Sequence, residues 1–178
     1  MKPILSIAAL LACAAAGCTR VVRVQEPGPG QQSARAELHD VAGQSVGVAT
    51  LRQTPHGVLI SAQLSNLPPG THAFHIHAVG LCQTPFTTAG PHLNPLNRQH
   101  GMDNPAGMHE GDLPNLYVPE SGSVRIDVLV SDASLMSGTS PILDADGAAL
   151  VIHAGADDYY TDPAGNAGSR IACGVISR

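Results

Sequence analysis

Between His75 and Asp112 the chain reads HIHAVGLCQTPFTTAGPHLNPLNRQHGMDNPAGMHEGD. Five of the nine histidines fall here (His75, His77, His92, His100 and His109), and Asp112 closes the stretch. Imidazole and carboxylate are metal-ligand chemistry, and the spacing sorts them into groups. His75 and His77 lie two apart in the apolar run AFHIHAV, which reads as a strand. Side chains at i and i+2 of a strand leave the same face, so both rings would project together from a rigid platform. His92, His100, His109 and Asp112 offer three imidazoles and one carboxylate, a closed four-coordinate set that suits zinc. Any one of them alone would be an exposed loop histidine. Together, in a loop poor in other charge, they specify a metal site. His153, at the end of ALVIH, is a further candidate that alone reads as a core histidine. The stretch is rich in Gly and Pro, hence an ordered loop, and a loop of this length in a compact domain calls for a function.

The elements that must position these groups are strands. ARAELHDV, SVGVATLRQ and HGVLISAQLSN alternate apolar with polar or small residues, the pattern of half-buried strands. TPHG and NLPPGTH are turn signals between them, the second leading into the His75 strand. After the metal loop come NLYVPE, SVRIDVLVSD, AALVIHAG and IACGVISR, with the loop ADDYYTDPAGNAGSR between the last two. About eight antiparallel strands and no helical pattern predict an all-β Greek-key sandwich or barrel. Trp is absent and aromatics are few, so the core falls to Val, Ile, Leu and Ala. The net charge is −5, Lys2 is the only lysine and no basic cluster occurs, which excludes nucleic acid as a partner.

The segments FHIH, GPHLNP, HGM, HEGDLPN, VIHAGADD and GNAGSRIACGV, in this order, resemble the copper/zinc superoxide dismutase family from about Ser33 to the C-terminus. The short gap from His77 to Cys82 and the wording GDLPNL are similar to its bacterial exported branch. The resemblance implies that His75, His77, His92 and His153 hold copper. It implies that His92, His100, His109 and Asp112 hold zinc, with His92 bridging the metals and supplying a proton to the nascent peroxide. Asp157 would join His75 to His100, Arg170 would attract superoxide, and Cys82 and Cys173 would form a disulfide. Copper would cycle between Cu(II) and Cu(I). His72 matches a family position of structural type, and Ala73 stands where the family usually has Gly. Pro163 and Ala164 replace basic and Thr residues of the eukaryotic branch, and the loop carries Asp157, Asp158 and Asp162. Acidic charge there is expected to weaken steering of an anion.

MKPILSIAALLACAAAGC reads as a secretory signal, with residues 1–17 removed. AAGC resembles a bacterial lipobox with Cys18 lipidated. Alternatives are an ordinary cleaved signal, or the weaker site ending at Cys13. The apolar stretch is shorter than the ~20 residues of a bilayer span. Residues 18–33 read as a lipid-anchored tether and 34–178 as the domain, placed in the cell envelope as a monomer or homodimer. An exported setting preserves a disulfide. Closing a loop of about ninety residues would contribute on the order of 4–5 kcal/mol. Three other readings compete. One is a non-catalytic copper/zinc-buffering envelope lipoprotein on the same fold. Another is a zinc hydrolase, for which Glu110 is the only nearby Glu. The last is a sandwich without metal.

Overall fold

The computed structural model describes residues 31–138 and 141–178. The expected signal, Cys18 and most of the tether lie outside them. The described chain forms nine strands: β1 Ser33–Asp40, β2 Ser45–Thr54, β3 Gly57–Leu64, β4 Gly70–His72, β5 Phe74–His77, β6 Leu116–Val118, β7 Val124–Ser131, β8 Ala148–His153 and β9 Arg170–Ser177. All eight expected runs are strands. The ninth, β4, occupies part of NLPPGTH, where turn chemistry masks a three-residue pairing with β6. Seven strands make one antiparallel sheet in the order β5-β8-β9-β1-β2-β3-β7, and β4-β6 form a second pair. Among the described residues no helix is long and apolar enough to cross a membrane.

Alternation sets the core. Along β1, Ala34, Ala36 and Leu38 are buried while Arg35, Glu37 and His39 are exposed, and Val58, Ile60, Ala62 and Leu64 continue the interior from β3. β8 departs from this pattern, because every residue from Ala148 to His153 is buried. Its Leu150 and Ile152 join the main core. Its Ala149 and Val151 pack instead with Phe86, Ala89 and Cys173 in a small second cluster, on the other face of the strand. Phe86 and Ala89 belong to the metal loop, so the loop is laid over the barrel wall at β8. The disulfide Cys82–Cys173 fastens it there. Beside β8, β5 ends the sheet, and an open edge needs a cover. The loop supplies it: Ile76 donates its N–H to Gly111 O, and its carbonyl accepts from Leu93. This stitching keeps a Gly- and Pro-rich segment ordered.

Candidate metal centre

β5 and β8 are paired in the register His75↔Val151 and His77↔Ala149. With Phe74 and Ile76 in the main core, His75 and His77 take the opposite face, the one covered by the loop. His153 ends β8 on the face of Ala149 and Val151. Bridges His77↔His92 and His75↔Asp112 bring the loop's ligands alongside. Ala73 is fully buried, donates its N–H to Gly155 O and accepts from His153 N–H. It is not among the positive-φ residues, so Ala is accommodated where the family uses Gly.

The structure gathers all the expected ligands. One group is His75, His77, His92 and His153; a second is His92, His100, His109 and Asp112; a third, His75, His100 and Asp157, links them. In the first group each ring has one engaged nitrogen and one orphan. His75 Nε2 meets Asp157 Oδ2 at 2.8 Å, His77 Nδ1 meets Gly90 O at 2.8 Å, and His153 Nδ1 meets Gly168 O at 3.2 Å. His92 Nδ1 meets Asp112 Oδ1 at 2.9 Å. The remaining nitrogens, His75 Nδ1, His77 Nε2, His92 Nε2 and His153 Nε2, are buried with no hydrogen-bond partner. Buried polar atoms are rarely left unpaired. Four converging orphans fit a metal that binds imidazole.

The second group is compact. Asp112 Oδ1 lies 2.9 Å from His92 Nδ1, 2.9 Å from His100 Nδ1 and 3.2 Å from His109 Nδ1, and the last is 3.4 Å from His92 Nδ1. A tetrahedron with ~2.0 Å arms has edges of about 3.3 Å, so this set fits zinc. The carboxylate's other oxygen accepts the backbone N–H groups of Gly101 and His109. His92 is the one ring in both groups.

Electrostatics separate the groups. Burial lowers His77, His92 to about 4 and His153 to about 3, so these rings are neutral at pH 7. Burial would also lower His100, but hydrogen bonds to Asp112 and Asp157 outweigh it and raise it to about 9. Burial opposes ionisation of both aspartates. Their hydrogen bonds with the imidazoles, joined by backbone N–H donors, prevail and hold each well below the usual carboxylate range.

Arg170 lies at the start of β9. Its guanidinium donates to Phe86 O at 2.6 Å and Gly90 O at 2.7 Å. It lines a cleft of about 820 Å³ together with His92, His109, His153, Arg98, Asp144 and Asp162. The three aspartates of the last loop have different fates. Asp157 is buried between His75 and His100. Asp158 serves its own loop, accepting from Tyr160, Thr161 and Asn166. Of the three, only Asp162 lines the cleft, so the acidic charge there is narrower than the sequence suggests. Asp144, from outside the loop, adds to it.

Several supports escape the sequence. The Asn115 side chain accepts the Asp157 N–H and donates to the Asp157 carbonyl, while the Asn115 N–H donates to the Tyr159 hydroxyl. This amide clamp fixes the linking carboxylate. The position within GDLPNL was the one available signal. Glu110 belongs to neither metal group, and burial raises its pKa. His72 stands between Pro68 O and His153 O, in keeping with a structural part. His39 and His56 are exposed.

The sequence profile described as copper/zinc superoxide dismutase (SODC) matches residues 45–176. The chain is 48% identical over 144 residues to "Superoxide dismutase [Cu-Zn] 1" of Aquifex aeolicus, covering 79% of this chain and 85% of that one. It is 41% identical over 148 residues to "Superoxide dismutase [Cu-Zn]" of Caulobacter vibrioides, covering 81% and 85%. Among solved structures, a SOD-like protein from Bacillus subtilis superposes with a TM-score of 0.76 at 41% identity, over 79% of this chain and 96% of that one.

Proposed function

This chain belongs to the copper/zinc superoxide dismutase family, and from that premise we propose that it converts superoxide to oxygen and hydrogen peroxide in the cell envelope. The observation that carries the reading is the set of four orphaned nitrogens beside a fixed guanidinium. His75, His77, His92 and His153 would hold copper, and His92, His100, His109 and Asp112 would hold zinc. Copper in an imidazole site would supply one-electron transfer between Cu(II) and Cu(I), and zinc supplies no electrons.

The remaining work falls to the chain's own groups. Arg170 carries a charge that does not titrate near neutrality and draws the anionic substrate into the cleft. Its two carbonyl contacts keep it at the wall. Gly90 O serves both Arg170 and His77, so the attracting charge and one copper-side ring share an anchor. His92 Nε2 is the ring atom placed to hold a proton and release it to the forming peroxide.

Residues 1–17 would direct export and Cys18 would carry the lipid anchor. The sequence supports this, and so does a disulfide of the kind that persists in oxidising compartments. Mass spectrometry of the mature N-terminus tests it: an unmodified Cys18 would remove the anchor. The test of the activity is superoxide decay after pulse radiolysis, with the protein loaded with copper and zinc and with zinc alone. Fast decay only with copper is expected. Full loading with no decay above solution would turn the reading to metal buffering.

A further inference from the structure

We propose that Asp162 is a positioning residue for the zinc half of the centre, where it pins the loop after His153 onto the backbone of His100. This rests on the reading that His92, His100, His109 and Asp112 hold zinc. Asp162 Oδ1 accepts the His100 backbone N–H at 2.6 Å. The same oxygen stands 3.9 Å from His109 Nε2. It therefore touches the zinc loop at one ligand and faces a second.

His109 gives this placement its meaning. The outer nitrogens of His75 and His100 meet Asp157, and those of His77 and His153 meet backbone carbonyls. Among the described residues, the outer nitrogen of His109 alone has no hydrogen bond, and Asp162 Oδ1 is the acceptor set before it. The gap is about 1 Å longer than a hydrogen bond, a span that a small movement or a bridging water closes. An outer partner fixes the ring and raises ligand basicity. The carboxylate's location points the same way. Asp162 is half-exposed on the wall of a cleft that admits an anion, where its charge opposes steering. A negative group in that place is accounted for by what its oxygen holds.

The test compares Asp162→Ala with Asp162→Asn in the full protein, with zinc affinity read by chelator competition and ligand geometry by the visible bands of Co(II) in the zinc site. Asp162→Ala should weaken zinc by about 10–100-fold and shift the Co(II) bands. Asp162→Asn keeps an oxygen for both contacts and should restore most of the affinity. It should also raise the superoxide rate at low salt, since a negative charge has left the cleft. Unchanged affinity and bands in Asp162→Ala would overturn the proposal, as would an Asn variant as weak as the Ala variant. A wild-type protein without tetrahedral Co(II) bands would instead overturn the zinc assignment on which the proposal stands.

Discussion

The two halves of the centre share His92 and are otherwise built by opposite means. On the proposed copper side, His75 and His77 rise from β5 and His153 from the end of β8, and the rings are held by carbonyls or by Asp157. Their inward nitrogens face one another without partners. On the proposed zinc side every residue comes from one loop, and the candidate ligand atoms already hydrogen-bond among themselves around Asp112. The strand half is a pre-shaped hole in which burial keeps His77, His92 and His153 neutral. The loop half is a charged, self-bonded cluster that a metal must enter by displacing protons. Rigidity therefore comes from backbone in one half and from charge in the other.

The largest effect is expected from His153→Ala, which deletes one orphaned nitrogen from the strand half. Superoxide decay should fall by on the order of a thousandfold or more, to the level of the copper-free protein. Zinc affinity should stay near wild type, because His153 is outside that set. An equal loss of zinc would mean that the halves are not separately built.

Gly165→Ala should instead damage both halves together. Gly165 has φ +60°, and an added Cβ would collide with the Asp157 carboxylate and stand 2.7 Å from His100 Nε2. Asp157 is the one group bonded to a ring of each half. Competition titrations should show copper and zinc affinity each weakened by about 10–100-fold. Loss confined to zinc would show that β5 holds His75 without its carboxylate.

Arg170→Ala separates attraction from ligation. The rate should fall by about tenfold or more and lose much of its dependence on ionic strength, with copper content unchanged. Arg98 also lines the cleft, so some salt dependence should remain. A rate that does not change would remove Arg170 from the mechanism.

The ligand types of the loop half were the more legible in the sequence, because His92, His100, His109 and Asp112 make a closed four-coordinate set. In the strand half H-x-H at period two carries its geometry in the spacing, but His153 alone read as a core histidine and joined the set through the resemblance. Supports made of backbone were hidden, because Phe86 and Gly90 contribute carbonyls that every residue possesses. Asp157, Asp158 and Asp162 are one residue type with a linking, a turn-capping and a cleft-lining role. Only three-dimensional contact separates them. β8 read as an apolar strand; its second buried face exists because a loop distant in sequence covers it.

The smallest effect is a slope. His100, raised to about 9, is protonated at pH 7 before zinc arrives, and its Nδ1 lies in the ligand set. Zinc must displace that proton, so its apparent affinity should rise by about tenfold per pH unit and level off near pH 9. On the copper side, His77, His92 and His153 are lowered and already neutral, so they contribute no such slope between pH 6 and 9. The same pairing bears on the stability of the metal-free fold, with opposite signs for the two kinds of group. The His100 contribution is fully present below its unfolded value of 6.5 and is lost as pH rises through about 9. Asp112 and Asp157 are lowered, so theirs is present above the unfolded value of 3.8 and is lost as pH falls. Chelator competition from pH 6 to 9 reads the slope directly. A zinc line as flat as these rings require of copper would mean that the loop half is as neutral as the strand half, and the contrast between them would fail.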